Sequence, residues 1–267
     1  MIKLKRFNTI DKPSIKAALK VLKSGELSPF VGNWKNDKIV GSFYGGKKVQ
    51  ELEKKIKKDF NVKYAIAVNS WTSGLTCAIG ALDIKPGDEI IVSPWTMCAS
   101  ATSVLHWFAV PVFADIDYDT FNITSETIKE KITKLTRAIV VPDIMGQSAE
   151  IDKIMKLAKK NNLKVISDSA QAIGTKYKGK YAGTHADIGG YSFNYHKPIN
   201  CGEGGMIVTN NKLLAQKMYL IRNHGEAVVK KMGFNKINNI IGHNYRMGEI
   251  EASITIEQLK KLKTIIK

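Results

Sequence analysis

The chain has 267 residues, 44% of them hydrophobic, enough for one large domain or one domain with a small appendage; its 24% charged and 8% aromatic residues exclude a disordered chain. The net charge of +17 is nearly all lysine spread along the chain, the only arginines being Arg6, Arg137, Arg222 and Arg246, which argues for a solvated surface rather than a nucleic-acid site. No apolar run reaches the length of a signal peptide or membrane span, and Cys77, Cys98 and Cys201 fit no metal pattern, so the simple expectation is a cytoplasmic protein kept reduced.

In chain order, Ser14–Lys23 reads as a short helix with Pro13 near its start. The glycine-rich stretch from Gly25 to Gly46 reads as a long loop. From Lys47 onward, Val49, Leu52, Ile56 and Phe60 fall on one helical stripe with lysines opposite. Strand Tyr64–Val68, helix Thr72–Leu82, strand Glu89–Val92, helix Cys98–Phe108 and strand Pro111–Ala114 follow. Next come helix Ser125–Thr133, strand Ala138–Val141, helix Ile151–Asn161 and strand Lys164–Ser167. Asp187–Phe193 and Gly205–Thr209 read as strands, Lys212–Arg222 as a helix, and Met247 opens a last helix still running at Lys267. This alternation implies an α/β fold with a mostly parallel sheet. A helix unfinished at Lys267 leads to the expectation of a further element after it.

The chemistry concentrates between Asp168 and Gly205. Asp168 ends an apolar strand, the place where open α/β sheets bind ligands. Downstream, Ser192-Phe193 is followed by Lys197 and then by Gly202-Glu203-Gly204-Gly205, where glycine lets backbone pass close to a ligand. A lysine between a strand and such a turn is not an ordinary surface lysine. Upstream, Asn69-Ser70-Trp71-Thr72-Ser73-Gly74-Leu75 joins a strand to a helix N-terminus, a natural phosphate site.

These motifs together resemble the DegT/StrS-type family of pyridoxal-phosphate-dependent sugar aminotransferases, over nearly the whole chain from about Pro13. The resemblance implies a three-layer α/β sandwich with a mostly parallel mixed sheet, the large domain of the aspartate-aminotransferase fold (pyridoxal-phosphate fold type I). Residues 1–246 would form that domain, and 247–267 would begin a helix leading to a small C-terminal domain. It also implies pyridoxal 5'-phosphate joined as an imine to Lys197, and Asp168 against the ring nitrogen, keeping the ring an electron sink. Gln171 would touch the ring or its hydroxyl, Trp95 of SPWTMCASA would stack on it, and Thr72, Ser73 and Ser192 would hold the phosphate. Trp71 departs from the glycine common at its position.

By the same resemblance, Asn244 and Arg246 would reach the cofactor phosphate of a second copy in a homodimer with a shared site. Asp143–Glu150, with Gly146-Gln147, matches a further family loop, and Arg222-Asn223-His224-Gly225 one bordering the substrate. The implied reaction moves an amino group from glutamate or glutamine to a keto sugar, nucleotide-linked or a cyclitol. The rivals are a truncated, non-catalytic cofactor-binding paralogue and, more weakly, a sugar dehydratase or a nucleic-acid-binding regulator. Some dehydratase relatives carry histidine in place of the cofactor lysine; here His196 stands one position early and lysine keeps its place.

Overall fold

The computed structural model describes residues 8–30, 32–35, 38–41, 43–225 and 240–266, with side chains outside 31–42. Helix α1 (Lys12–Ser24) is capped by Asp11, whose carboxylate accepts from the Ser14 backbone N–H at 3.1 Å. Strands β1 (Gly32–Lys35) and β2 (Lys38–Gly41) then pair antiparallel, from Gly32 opposite Gly41 to Lys35 opposite Lys38. They correct the long loop expected over Gly25–Gly46. The runs GNWK and KIVG are too short and mixed to display the alternation that marks a strand. Helix α2 (Lys47–Phe60) buries Val49, Leu52, Ile56 and Phe60, the expected stripe.

Beyond α2, helices and strands alternate as β3 (Tyr64–Val68), α3 (Trp71–Ala81), β4 (Glu89–Val92), α4 (Ala99–Leu105), β5 (Val110–Phe113), α5 (Ser125–Lys129) and β6 (Thr136–Pro142). A single 3-10 turn at Ile144–Gly146 precedes α6 (Ile151–Lys160) and β7 (Lys164–Asp168). A two-residue hairpin, β8 (Lys176–Tyr177) with β9 (Lys180–Tyr181), leads to β10 (Ile188–Ser192), β11 (Gly205–Thr209), α7 (Lys212–Arg222) and α8 (Glu249–Ile265). Three helices are shorter than their periodicity suggests. α4 stops before Phe108, whose φ of 57° is left-handed. α5 stops at Lys129 rather than Thr133, and α8 begins at Glu249, after the N-cap Gly248, not at Met247. α8 closes at Ile265; Lys267 lies outside the described residues.

The main sheet has seven strands in the order β3-β11-β10-β7-β6-β4-β5. β11 pairs antiparallel with both neighbours, and the remaining pairs are parallel. Alternate residues of each strand feed opposite cores. On one face Ile66, Val68, Val92, Val140 and Ile207 pack with Leu75 and Ile79 of α3 and Met218 of α7. On the other, Ala65, Ala67, Met206 and Val208 meet α2 and α8, and Ile139 and Val165 meet Ile151 and Ile154 of α6. The result is the expected three-layer sandwich. Because six of the seven strands run one way, their C-terminal ends and the loops that leave them share one edge of the sheet.

One buried ion pair ties the layers together. Arg222, at the end of α7, is fully buried, and its Nη1 donates to Glu53 Oε1 of α2 at 2.8 Å and to the Ala67 carbonyl of β3 at 3.1 Å. The Ala67 N–H donates to the same Glu53 oxygen at 3.0 Å, and the guanidinium lies 5.0 Å from the rings of both Phe30 and Tyr219. Burial pushes the Glu53 carboxyl up, and the Arg222 charge pulls it back. Removing one partner strands the other's charge in the core. Arg222→Met should therefore cost about 3–5 kcal/mol in urea unfolding, with the joint change Glu53→Gln/Arg222→Met costing less than Arg222→Met alone.

Candidate active site

A cavity of about 420 Å³ opens at the C-terminal edge of the parallel strands. Ser70, Trp71 and Thr72 enter it from the β3–α3 turn, Thr96 and Met97 from the segment after β4, Asp143 and Ile144 from the end of β6, Asp168 from the end of β7, and Ser192 from the end of β10. Lys197 and Glu203 come from the loop between β10 and β11. That loop is closed by backbone hydrogen bonds from Phe193 N–H to the Gly204 carbonyl and from Tyr195 N–H to the Gly202 carbonyl, each 2.9 Å, and from Cys201 N–H to the Phe193 carbonyl at 3.0 Å. It is a prolongation of the antiparallel β10–β11 pairing, which is why a lysine far out on a loop has a defined position.

Asp168 is the buried acid of the cavity. Its Oδ1 accepts from Trp71 Nε1 at 2.6 Å and from the Ala170 N–H at 3.3 Å, and its Oδ2 accepts from Ser100 Oγ at 2.8 Å. Burial pushes its carboxyl up; the Ser100 and Trp71 hydrogen bonds, the Ala170 N–H and the charge of Lys197 pull it down. Lys197 is half-buried. Burial lowers its amine below the usual lysine value, and the Asp168 charge opposes that. A second carboxylate, Asp143, sits deeper, accepting from Ser167 Oγ at 3.2 Å, the Ala149 N–H at 3.1 Å and, more tightly, Ser169 Oγ. Burial pushes this carboxyl up as well.

Six of the site residues expected from sequence meet here or beside it. Asp168, Gln171, Ser192, Lys197 and Thr72 line the cavity. The Gln171 amide oxygen is engaged by the Met145 N–H at 2.7 Å, which ties the turn after β7 to the loop after β6. Ser73 is not among the lining residues; its N–H donates at 3.1 Å to Ser70 Oγ, the N-cap of α3. Ser70 therefore stands at the helix mouth beside Thr72. Trp95 is 50% exposed, lies 5.8 Å from Phe121, and lines an adjoining cleft that shares Thr96, Met97, Ile144 and Gln171 with the cavity.

Asn244 and Arg246 are elsewhere. They line a separate cleft of about 320 Å³ with Ser28, Asn69 and Glu251, and Glu203 alone contributes to both this cleft and the lysine cavity. Arg246 Nε donates to Asn244 Oδ1 at 2.9 Å and its Nη1 to Asn223 Oδ1 at 3.1 Å. The segment is pinned beside the start of α3, because the Asn69 N–H donates to the Tyr245 carbonyl at 2.9 Å. Of the loop at Arg222–Gly225, Arg222 is a core residue and does not border the cavity. Sequence reading missed Ser100, Met97, Asn194 and Glu203. Met97 and Ser100 stand in the quoted SPWTMCASA segment, Asn194 between Phe193 and Lys197, and Glu203 in the glycine-rich tail, but nothing in those segments assigns them a role.

The sequence profile of the DegT/DnrJ/EryC1/StrS aminotransferase family matches residues 38–267. The chain belongs to this family. It is 40% identical over 216 residues to the GDP-perosamine synthase of Escherichia coli O157:H7, covering 81% of this chain and 58% of that protein. Among solved structures, an aminotransferase from Psychrobacter cryohalolentis superposes with a TM-score of 0.86 at 34% identity, covering 97% of this chain and 64% of that one. The NtdA protein of Bacillus subtilis with bound cofactor PMP superposes with a TM-score of 0.81 at 31% identity, covering 96% of this chain and 55% of that one. The chain thus spans less than two thirds of the length of these relatives. Members of the family are pyridoxal-phosphate-dependent. The cavity fits that cofactor in chemistry: an amine and a buried carboxylate line one space, and the N-terminus of an eleven-residue helix opens onto it through Ser70 and Thr72.

Because burial lowers the Lys197 amine, more of it is uncharged at neutral pH than of a surface lysine. Brief acetylation of the cofactor-free protein at neutral pH should therefore label Lys197 ahead of exposed lysines such as Lys159, and the preference should shrink as pH rises toward the ordinary lysine value. Peptide mass mapping checks this; equal labelling at neutral pH would contradict the lowered amine.

Proposed function

We propose that this chain is the cofactor-binding part of a pyridoxal-phosphate-dependent aminotransferase that moves an amino group from glutamate or glutamine to a keto sugar. The observation that carries the reading is that Lys197 and Asp168 line one cavity at the mouth of α3. When bound, pyridoxal phosphate supplies a reactive aldehyde and an electron-withdrawing ring. Lys197 would hold it at Nζ, Asp168 would face its ring nitrogen, Gln171 and Trp95 would border the ring, and Thr72, Ser73 and Ser192, with Ser70, would take the phosphate.

In this reading the residues divide the work by charge. Asp168, as an anion, favours a protonated ring nitrogen. Lys197 Nζ, once free, takes the proton that leaves the donor's α-carbon and later returns one to the carbon that receives nitrogen. Its lowered proton affinity suits both tasks, since a less basic amine gives up its proton more readily and can still take one up.

The acceptor is a keto sugar carried on a nucleotide, by analogy with relatives named GDP-perosamine synthase and UDP-4-amino-4,6-dideoxy-N-acetyl-beta-L-altrosamine transaminase; a cyclitol is the alternative. Asn244 and Arg246 lie in a cleft apart from Lys197, which suits a homodimer in which they serve the neighbour's cofactor phosphate. We place the protein in the cytoplasm, with no role for membrane or nucleic acid. Among the described residues, no helix is long and apolar enough to cross a membrane.

Two experiments test the proposal. Borohydride reduction in the presence of pyridoxal phosphate should fix the cofactor to Lys197, and a label found elsewhere would sink the assignment. With L-glutamate alone, the loaded protein should release one equivalent of 2-oxoglutarate, and Lys197→Ala should slow this by about 10³-fold or more. Cofactor binding with release of no keto acid from either glutamate or glutamine would point instead to a non-catalytic paralogue.

A further inference from the structure

The first residue of α3 is in direct contact with the buried acid. Trp71 is the first residue of α3, only 5% exposed, and its Nε1 donates to Asp168 Oδ1 at 2.6 Å. The indole occupies space that two glycines leave open. A Cβ on Gly190 of β10 would stand 1.9 Å from Trp71 Cζ3, and one on Gly74, a turn along α3, would stand 2.5 Å from Trp71 Cε3. The ring is thus clamped between strand and helix, and its one polar atom is spent on the carboxylate.

We propose that Trp71 is a positioning residue for Asp168, fixing one carboxylate oxygen and favouring the anion, so that Asp168 meets the cofactor's ring nitrogen as a charged acceptor. This rests on the cofactor reading above. Three features carry it. The hydrogen bond is short, as expected of a neutral donor to a carboxylate. Indole has a single N–H and no acceptor, so it can only donate and cannot accept the O–H of a protonated acid. A rigid ring in a glycine-lined slot fixes the direction of that donor, whereas the opposite oxygen is held by the hydroxyl of Ser100, which can rotate. Asp168 lies between these two donors, the Ala170 N–H and the charge of Lys197. Removing the indole donor leaves burial less opposed, and the proton shared between acid and ring nitrogen shifts toward the acid.

The test separates positioning from packing. Trp71→Phe keeps an aromatic ring and loses the N–H. With ring-labelled ¹⁵N pyridoxal phosphate bound, the wild-type nitrogen should resonate in the protonated range across neutral pH. In Trp71→Phe it should move toward the unprotonated range, and cofactor affinity should fall about tenfold. A variant whose thermal midpoint drops while the nitrogen resonance stays in place would overturn the proposal and leave Trp71 a packing residue. Should Trp71→Phe fail to fold, the indole N–H proton of the wild-type, cofactor-free protein decides. It should resonate well downfield of the indole proton of the exposed Trp95 and move in Asp168→Asn; a random-coil position would refute the hydrogen bond. If pyridoxal phosphate does not attach to Lys197 in the wild type, the cofactor reading fails, and the indole resonance still reports on the Trp71–Asp168 contact.

Discussion

A carboxylate removed from water must receive its hydrogen bonds from protein, and much of this site follows from supplying them to Asp168. Indole, hydroxyl and backbone N–H converge on it from α3, α4 and its own turn. Each donor sits on a different element, so the geometry of the acid reports on the packing of all three. Without them the push of burial toward the protonated, uncharged acid would be less opposed. The glycines facing Trp71 belong to the same requirement: they are the volume needed to bring the donor in.

The fold makes that convergence possible through direction. Parallel strands deliver their ends to one edge, and the residues after β3, β4, β6, β7 and β10 meet there with no long excursion. The reversed strand, β11, brings the chain back from the lysine loop straight into the sheet, so Glu203 enters the cavity from the beginning of a strand rather than its end. Behind the sheet, the Arg222–Glu53 pair joins α7 to α2 across the end of β3, where the α3 turn must be held.

The sequence made the layers and the main elements legible because buried parallel strands are continuous apolar runs and α2 has one clear stripe. Helix ends were less visible: Phe108 gives no sign in its identity that it adopts positive φ. The β1–β2 hairpin escaped because four-residue strands of mixed polarity carry no period. In the site, Lys197, Asp168, Gln171, Ser192 and Thr72 were found by motif and the structure gathers them. Ser100 stood in the quoted SPWTMCASA segment, but nothing local marks it as a partner of Asp168, since their bond spans 68 positions. Of the two arginines in the quoted motifs, Arg222 is buried against Glu53, whereas Arg246 bonds two asparagines.

The loop that bears Lys197 is closed by residues near it in sequence, through the β10–β11 pairing and three hydrogen bonds beyond it. Local closure of this kind costs little chain entropy and forms early among folding events. The partners of Asp168 arrive from distant segments and must wait for the sheet to assemble. A folding chain would thus shape the arm that carries the amine before it builds the socket that the amine faces, and the reactive centre becomes complete only in the last, most cooperative stage of assembly.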